Sequence, residues 1–368
     1  MRILQLVHSL RRGGAERVLL DLANGLIERG HTVKIVALLA INEYQESCYA
    51  AIPHQYLIPP EQYRWPWSVP MMARALGEVV NKFHPDLIEI HTPTAAVVTA
   101  CAKPNAPVVH VLHGYDLNRG QRWIKDWLLH KLYSWAYQKL KARLVVVSVS
   151  MVEEIGRYFS CSSKDIRCIW NGVDLKRFLF FQRELPINPV IVTLGTLAPV
   201  KRPDLAIYAM GELVRRFPGA KLLMVGDGPL HAELLGLVKQ LNLEQHIEFL
   251  GRRERVPEIL AMGHIFWQLS MKEGCPVAII EAMATGLPVV GHDVAGIQDI
   301  VKDGFTGFLI PYENIREVSQ KTTQILTNSE LYYSMSLRAR QHVEREFSLE
   351  RMVTQHEAVM QDVIREAR

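Results

Sequence analysis

The feature that most constrains the fold of this chain is a regular alternation of short apolar runs with helix-length amphipathic segments. The apolar runs are rich in Val, Ile and Leu, which is typical of strands buried in a parallel sheet. Strands that are separated by helices in this way predict right-handed βαβ units and a doubly wound α/β sheet. One series of runs occupies residues 2–8, 31–39, 86–92, 107–113 and 143–150, and a second occupies 189–195, 221–226, 246–251, 264–270 and 288–291.

The alternation of strands and helices begins a second time at residue 189, which predicts two domains. The chain has 368 residues, which exceeds one ordinary core and suits two domains of roughly 150–200 residues each. We interpret the turn-rich stretch 170–189 as a linker, and we place one Rossmann-like domain at 1–180 and another at 186–345. Ligands of such sheets bind at the carboxyl ends of the strands. We therefore expect the two domains to face a central cleft that holds the active site.

Composition narrows the class of protein. With 49% hydrophobic and 22% charged residues, the chain is predicted to be globular rather than disordered. No apolar run approaches the ~18–20 residues that span a bilayer, and the first residues lack the pattern of a signal peptide. The five cysteines form no C-x-x-C pair, which favours a reducing cytoplasm.

Charge is distributed unevenly along the chain. Residues 1–180 hold 22 Lys and Arg against 15 Asp and Glu, whereas residues 181–368 hold 20 against 23. A basic first half is compatible with an anionic acceptor or a membrane surface, and equally with a solvated basic face. Nucleic acid is not among the expected partners.

Three glycine-rich or basic junctions between a strand and a helix are candidate phosphate sites. Gly13 and Gly14 allow close approach of the backbone to an anion at a helix N-terminus, although the pattern is not G-x-G-x-x-G and so does not favour a nicotinamide dinucleotide. Lys201 and Arg202 precede a predicted helix that begins near residue 203, where a cation does not serve the helix dipole. At the carboxyl end of a strand they would suit a diphosphate. Gly226 lies in a third junction, 224–230.

The stretch KEGCPVAIIEAMATGLPVV, residues 272–290, places Glu273 and Glu281 eight residues apart. We predict a loop followed by a helix that starts near Pro276 and stops before residue 286. Its N-terminus, with the N–H groups of Gly274 and Cys275, favours an anion.

Two carboxylates beside a phosphate would repel it, so they are better suited to accept hydrogen bonds from a ribose diol and a sugar ring. Helix capping by Glu273 with a solvated Glu281 stays open as the structural alternative. An acid–base pair is disfavoured, because one glutamate lies before the predicted helix and the other more than a turn inside it. A metal site is disfavoured because no ligand cluster is near.

Taken together, these segments resemble the retaining GT-B glycosyltransferases, specifically glycosyltransferase family 4. EGCPVAIIEAMATGLPVV (273–290) resembles the family's E-x7-E signature. The likeness covers essentially the whole chain, and in it the terminal helix, about 348–368, is expected to cross back onto the first domain. Further segments match in the expected order, namely SLRRGGAER (9–17), HGYDL (113–117), WNGVDLKRF (170–178), GTLAPVKRPD (195–204) and VGDGP (225–229).

The resemblance implies a role for each matching residue. Glu281 would bind the ribose hydroxyls, Glu273 would contact hydroxyls of the transferred sugar, and Lys201 would neutralise the diphosphate. His113 would lie near the transferred sugar, unless it is only a histidine at a strand end. The predicted catalytic residues are His113, Glu273 and Lys201. The predicted donor-binding residues are Gly13, Gly14, Thr196, Lys201, Arg202, Gly226, Gly274, Cys275, Pro276, Val277 and Glu281, and the predicted acceptor-binding residues are Arg12, Asp116 and Arg119.

The sequence departs from the family pattern at two places. Many members carry an arginine that pairs with the diphosphate where this chain has Thr196, so Lys201 or Arg202 would carry more of the charge. The family's Gly-Gly-x-x-Glu segment is Ala-Gly-Ile-Gln-Asp at 295–299, whose acidic end is one methylene shorter.

The resemblance therefore implies a retaining, metal-independent transfer of sugar from a UDP- or GDP-sugar to an acceptor hydroxyl, without a cofactor, in bacterial glycan, lipopolysaccharide or glycoside biosynthesis. A GT-B-type nucleotide-sugar epimerase and a non-enzymatic sugar-binding protein are the alternatives.

The acceptor stays open between a carbohydrate, a lipid-linked molecule and a small molecule such as an aminocyclitol. Two aromatic-basic stretches, 61–72 and 119–143, lie in the first domain. The second fits an amphipathic helix against a membrane interface, which would place the protein at the inner face of the membrane. It fits equally well a helix that packs its Trp and Leu side chains into the domain. The oligomeric state is not assigned.

Overall fold

The computed structural model of the protein describes residues 1–44, 52–114 and 123–368. These residues form two compact units. The first comprises Met1–Gly172 together with Leu349–Arg368, and the second comprises Val173–Ser348.

The first unit is built on a sheet of parallel strands in the order β3-β2-β1-β4-β5-β6-β7. The strand order runs outward in one direction from β1 and in the other from β4. The topological switch point of the sheet therefore lies between these two neighbouring strands. The strands are β1 (Arg2–Val7), β2 (Thr32–Leu39), β3 (His54–Ile58), β4 (Leu87–Ile90), β5 (Val108–Leu112), β6 (Arg143–Val146) and β7 (Ile166–Cys168).

The helices of the first unit include one that comes from the far end of the chain. That helix, α13 (Leu349–Ala367), packs against α1 (Gly14–Glu28) so closely that a Cβ on Gly25 would lie 2.6 Å from Val353 Cγ2. Glu357 of α13 accepts hydrogen bonds from Arg29 and His31, each at 2.9 Å. The helices are α1 (Gly14–Glu28), α2 (Val69–Phe83), α3 (Pro93–Ala102), α4 (Trp123–Leu140), α5 (Ser150–Phe159) and α13 (Leu349–Ala367).

The second unit repeats the architecture with parallel strands in the order β10-β9-β8-β11-β12-β13. Its switch point lies between β8 and β11. The strands are β8 (Val190–Leu194), β9 (Lys221–Val225), β10 (Ile247–Gly251), β11 (Ile265–Gln268), β12 (Val289–His292) and β13 (Gly307–Ile310).

Helices of the second unit pack apolar side chains onto this sheet. Trp267 of β11 is only 1% exposed, and its indole Nε1 donates to Thr322 Oγ1 at 2.9 Å, which satisfies the polar atom of a buried aromatic ring. The helices are α6 (Pro203–Leu213), α7 (His231–Gln240), α8 (Val256–Met262), α9 (Val277–Ala284), α10 (Ile297–Ile300), α11 (Ile315–Leu326) and α12 (Ser329–Glu346).

The predicted doubly wound α/β class is confirmed in both units, and each of the ten predicted strands is present. Helix α1 ends at Glu28, and Gly30 follows it with φ +82°, the left-handed conformation that glycine adopts at little cost. Three strands, β3, β7 and β13, were not predicted, because each is a short run at or near a sheet edge. Most of the stretch 173–183 packs on the second unit, where Phe178 is buried and its carbonyl accepts from Arg340.

No helix in the described ranges is both long enough and apolar enough to cross a membrane.

Candidate active site

The candidate site of the second unit lies at its switch point, where β8 and β11 are neighbours in a parallel sheet. The loop after β8 carries residues 195–202, and the loop after β11 carries residues 269–276. Because ligands of open parallel sheets bind outside the carboxyl ends of strands at this point, the fold brings the two most informative sequence segments to one edge.

The loop after β8 is held by the glycine junction after β9. Gly226 has φ +134°, and a Cβ there would lie 1.9 Å from the Gly195 carbonyl oxygen. The Gly195 N–H donates to the Val225 carbonyl at 3.0 Å, and the Leu197 N–H donates to that of Asp227 at 3.1 Å. Gly226 is therefore required for the close approach of these two loops.

Lys201 and Glu273 form an ion pair across the two loops. The Lys201 Nζ lies 2.6 Å from Glu273 Oε1 and 2.7 Å from Oε2. The Glu273 residue is 8% exposed, whereas the Lys201 side chain is 30% exposed. The lysine therefore presents its charge at the surface of the site while the carboxylate is largely buried.

The two carboxylate oxygens of Glu273 have different surroundings. Oε1 also accepts from the Ser270 hydroxyl at 2.6 Å and from the Gln268 amide at 2.8 Å. Oε2 accepts only from Lys201 among the hydrogen bonds that the described residues make. Since a carboxylate oxygen accepts more than one hydrogen bond, Oε2 is the atom of Glu273 with capacity for a hydroxyl donor.

The backbone of Glu273 is fixed by the segment after β12. The Glu273 N–H donates to the Ala295 carbonyl at 3.3 Å. Gly296 has φ +83°, and a Cβ there would lie 2.4 Å from the Glu273 carbonyl oxygen and 2.5 Å from that of Gly274. This is a structural reason for glycine in the Ala-Gly-Ile-Gln-Asp segment.

Helix α9 begins directly after the Glu273 loop, as predicted. Pro276 is its N-cap and provides no side-chain cap, so the first N–H groups of the helix face no capping oxygen from that residue. Cys275 is 5% exposed, Val277 opens the helix, and Glu281 is 9% exposed one turn further on. The interpretation of Glu281 as a solvated helix residue does not hold, because its side chain lies among buried neighbours.

Arg202 has acidic partners of its own. It adopts the left-handed conformation at φ +46°, and its guanidinium donates to Asp204 at 2.9 Å, to the Tyr312 hydroxyl at 2.7 Å and to Glu313 at 2.5 Å. The hydrogen bonds that Arg202 donates to Asp204, followed by those to Glu313 and Tyr312, raise its pKa. Within this pair of basic residues, only Lys201 contacts Glu273.

A small cavity at the carboxyl ends of β8, β9 and β11 joins several of these residues. Its lining includes Thr196, Lys201, Arg202 and Gln268. Thr196 itself is exposed, and its side chain carries no charge to replace the arginine of the family pattern.

In the first unit, the Gly13-Gly14 pair lies at the start of α1. Gly13 is the N-cap in an extended conformation with φ −157°, and its carbonyl accepts from the Tyr44 hydroxyl at 3.0 Å. Arg12 is turned to Glu43, whose carbonyl oxygen accepts from Arg12 Nε at 2.6 Å. The remaining two predicted acceptor residues, Asp116 and Arg119, lie outside the described residues.

His113 follows β5 and belongs to a buried network. Its Nε2 lies 2.9 Å from His91 Nδ1, and the two rings stack with centroids 5.2 Å apart. His91 in turn contacts Glu89, which is fully buried. Burial, with a further contribution from His91, holds the pKa of His113 well below its usual range.

Five residues that contact the predicted site residues directly, or through one or two intervening side chains, were missed. Each lies within or beside a predicted strand or helix and so resembles an ordinary core position, although a polar side chain in a buried strand was an available signal. These residues are Gln268, Ser270, Glu89, His91 and His356.

Two family descriptions match adjoining parts of the chain. "Glycosyltransferase Family 4" matches residues 12–177, and "Glycosyl transferases group 1" matches residues 177–342.

Curated relatives align over much of their length. The chain is 28% identical to the N-acetyl-alpha-D-glucosaminyl L-malate synthase of Bacillus anthracis, over 96% of this chain and 95% of that protein. It is 26% identical to the UDP-Gal:alpha-D-GlcNAc-diphosphoundecaprenol alpha-1,3-galactosyltransferase of Escherichia coli, over 76% of each.

Solved structures share the fold. Anabaena HepE in complex with UDP-glucose has a TM-score of 0.83 at 20% identity and covers 98% of this chain and 100% of that chain. The sucrose-phosphate synthase from Thermosynechococcus elongatus has a TM-score of 0.83 at 20% identity and covers 99% of both.

Proposed function

Because the chain belongs to glycosyltransferase family 4 and has the GT-B fold, we propose that it transfers a hexose from a UDP-sugar to an acceptor hydroxyl with retention at the anomeric carbon. The observation that carries the proposal is the Lys201–Glu273 pair at the switch point of the second unit, followed directly by the N-terminus of α9. In this pair, Lys201 provides a cation that suits a diphosphate, and Glu273 provides a carboxylate that suits sugar hydroxyls.

The choice of UDP rests on relatives. The Escherichia coli galactosyltransferase is named for UDP-Gal, and HepE was solved with UDP-glucose. The buried Glu281 suits a ribose diol, because an ionised carboxylate accepts a hydrogen bond from each of two neighbouring hydroxyls.

In the proposed mechanism, the bond between the anomeric carbon and the β-phosphate oxygen breaks as the acceptor oxygen bonds to the same face of that carbon. The acceptor proton passes to the departing phosphate oxygen. Lys201 and the first N–H groups of α9 stabilise the negative charge that develops on the diphosphate. Glu273 Oε2 orients the sugar by accepting from one of its hydroxyls.

The test is incubation with UDP-glucose, UDP-galactose and UDP-N-acetylglucosamine, with and without candidate acceptors, while free UDP is measured. UDP release that depends on acceptor, with an α-linked product by proton coupling, supports the proposal. A changed sugar on intact nucleotide would instead identify an epimerase, and binding without turnover would identify a binding protein. Either result contradicts transfer.

For the acceptor, we favour a lipid-linked molecule at a membrane surface. Trp127, Lys131 and Trp135 of α4 are spaced four residues apart and share one helix face. The two tryptophans are 58% and 42% exposed, and the Lys131 ammonium lies 5.8 Å from the Trp127 ring centroid. Exposed Trp beside Lys is suited to the interface of an anionic bilayer.

Co-sedimentation with vesicles tests this surface. The protein is expected to sediment with phosphatidylglycerol-containing vesicles and less with phosphatidylcholine alone, and the double variant Trp127→Ser, Trp135→Ser should lose most of the binding. Ile187→Ser is the control, because Ile187 is 90% exposed and lies outside α4. Equal loss in the control and the double variant would favour a small-molecule acceptor.

A further inference from the structure

A line of buried polar side chains leads from helix α13 to His113. Glu89 of β4 accepts from His356 of α13 at 2.9 Å through Oε1, and its Oε2 lies 3.2 Å from His91 Nε2. His91 Nδ1 then lies 2.9 Å from His113 Nε2. We call Glu89, His91 and His113 the relay.

Glu89 is an unusual residue for its position. It is 0% exposed within a central strand of the first sheet, and its third hydrogen bond comes from the Gln5 amide at 2.7 Å. A buried carboxylate rarely improves stability over an apolar side chain of similar size. Glu89 is not expected to stabilise the fold, and yet three side chains form hydrogen bonds with it. It is therefore a candidate for a functional role.

The contacts of Glu89 determine which nitrogens carry protons. Both oxygens of Glu89 are engaged, Oε1 by His356 and Oε2 by His91 and the Gln5 amide. Despite its burial, the contacts with His91 and His356 also hold the pKa of Glu89 far below its usual range, so it is an acceptor. His91 must then donate through Nε2–H, and in its neutral form its Nδ1 is an acceptor. That Nδ1 is satisfied by an Nε2–H on His113.

This assignment leaves Nδ1 of His113 without a proton. Nδ1 is buried and has no hydrogen-bond partner among the described residues. The opposite tautomer would leave a buried N–H donor unpaired, which is rarer in proteins than an under-satisfied acceptor. A cationic His91 would enforce that opposite tautomer and add a charge beside the buried His110.

We propose that Glu89 is a positioning residue that acts through His91 to fix His113 as the neutral Nε2–H tautomer, with Nδ1 directed to accept a hydrogen bond from a substrate hydroxyl. The proposal rests on the proposed function for the identity of that hydroxyl, which belongs to the transferred sugar or the acceptor. His113 would then orient a hydroxyl and would not take its proton. The titratable groups that face the relay are His110 of β5 and His356 of α13.

The first test uses the wild-type protein. Long-range proton–nitrogen correlation spectra of protein labelled at histidine report which ring nitrogen of His113 carries the proton, and His113→Gln assigns its signal among the 14 histidines. The Nε2–H pattern at pH 7 is expected, and an Nδ1–H pattern overturns the proposal.

The second test follows the tautomer in variants. Glu89→Gln and His91→Gln should both convert His113 to a mixture of tautomers. Gln5→Met is the matched control, because it removes another donor to Glu89 and leaves the contact with His91 in place. Retention of the Nε2–H pattern in both relay variants contradicts the proposal, and far-ultraviolet circular dichroism establishes that each variant is folded.

The third test is kinetic. Glu89→Gln should lower kcat about 10-fold or more, as is typical when a positioning contact is lost, with KM for the UDP-sugar nearly unchanged. In a His113→Gln background the same substitution should have no further effect, and an equal loss in both backgrounds overturns the relay. If His113→Gln itself transfers sugar at the wild-type rate, the role of His113 in the proposed function fails, whereas the spectra still decide whether the relay exists.

Discussion

Lys201 and Glu273 meet with the ammonium within 2.7 Å of both carboxylate oxygens, although the two residues are 72 positions apart in the chain. Each therefore sets the electrostatic environment of the other. The pair holds a cation at the edge of the candidate site, so the proposed binding of a diphosphate would need little reorganisation.

Substitution of Lys201 should mainly impair turnover. Lys201→Ala removes the cation that would stabilise the departing diphosphate, and a loss of about 10²–10³-fold in kcat is typical of such groups. Initial rates of UDP release measure the effect. Lys239→Ala, an exposed lysine of α7, should keep the wild-type rate, and an unchanged rate in Lys201→Ala would remove Lys201 from the site.

Substitution of Glu281 should mainly weaken nucleotide binding. A hydrogen bond to a charged group contributes about 1.5–3 kcal/mol, so Glu281→Ala should raise the Kd for UDP by about 10-fold or more. Isothermal titration calorimetry measures the Kd directly. The control is Glu233→Ala, which removes an exposed carboxylate from α7, and equal affinities for the two variants would contradict the ribose assignment.

Gly296 should tolerate alanine much less well than Gly304. Both have positive φ, at +83° and +67°, but a Cβ at Gly304 would meet nothing within 4 Å, whereas one at Gly296 would collide with the backbone of Glu273. Gly304→Ala should cost about 1–2 kcal/mol from the left-handed backbone alone. Gly296→Ala should cost more and also lower kcat, because it displaces Glu273. Thermal unfolding and transfer rates provide the comparison, and similar behaviour of the two variants would argue against a fixed Glu273 loop.

His110 should make the protein less stable in mild acid. Burial, with a smaller contribution from His91, lowers the pKa of His110 to about 3. Below about pH 6.5, His110 binds a proton in the unfolded chain but not in the folded chain. The free energy of unfolding therefore falls as the pH drops from about 6.5 towards 3. Between pH 7 and pH 5 this contribution amounts to about 2 kcal/mol.

His110→Gln should remove that pH dependence. Urea unfolding of the wild type and the variant at both pH values measures it, and the exposed His54→Gln is the control. If the difference in midpoint between wild type and His110→Gln is the same at pH 7 and pH 5, His110 is not the residue responsible.

The architecture was predictable from sequence because burial on both faces of a parallel sheet forces a continuous apolar run, which needs no tertiary information. The two loops of the candidate site followed from the position of Lys201 and Glu273 at strand ends. The ion-pair partner of each charged side chain could not be predicted. Arg202, adjacent to Lys201 in sequence, pairs with Asp204 and Glu313 instead, because its left-handed backbone turns it towards them.

The relay escaped prediction for a related reason. Glu89 and His91 lie in the apolar run 86–92, which is predicted to be an ordinary buried strand. Their partner His356, which contacts Glu89, lies 267 residues after Glu89 in the chain. A contact between residues so far apart cannot be predicted from the sequence, because neither the residue types nor their spacing links β4 to α13.

The position of α13 has a consequence for how the protein is made. Because the first unit consists of Met1–Gly172 and Leu349–Arg368, its amino-terminal portion emerges from the ribosome long before the helix that covers α1 and supplies His356. Throughout synthesis of the whole second unit, Glu89 lacks one of its hydrogen-bond donors and the docking face of α1 lacks its cover. Completion of the first unit is thus delayed until the second has been translated, and surface exposed in such an incomplete unit is prone to aggregation.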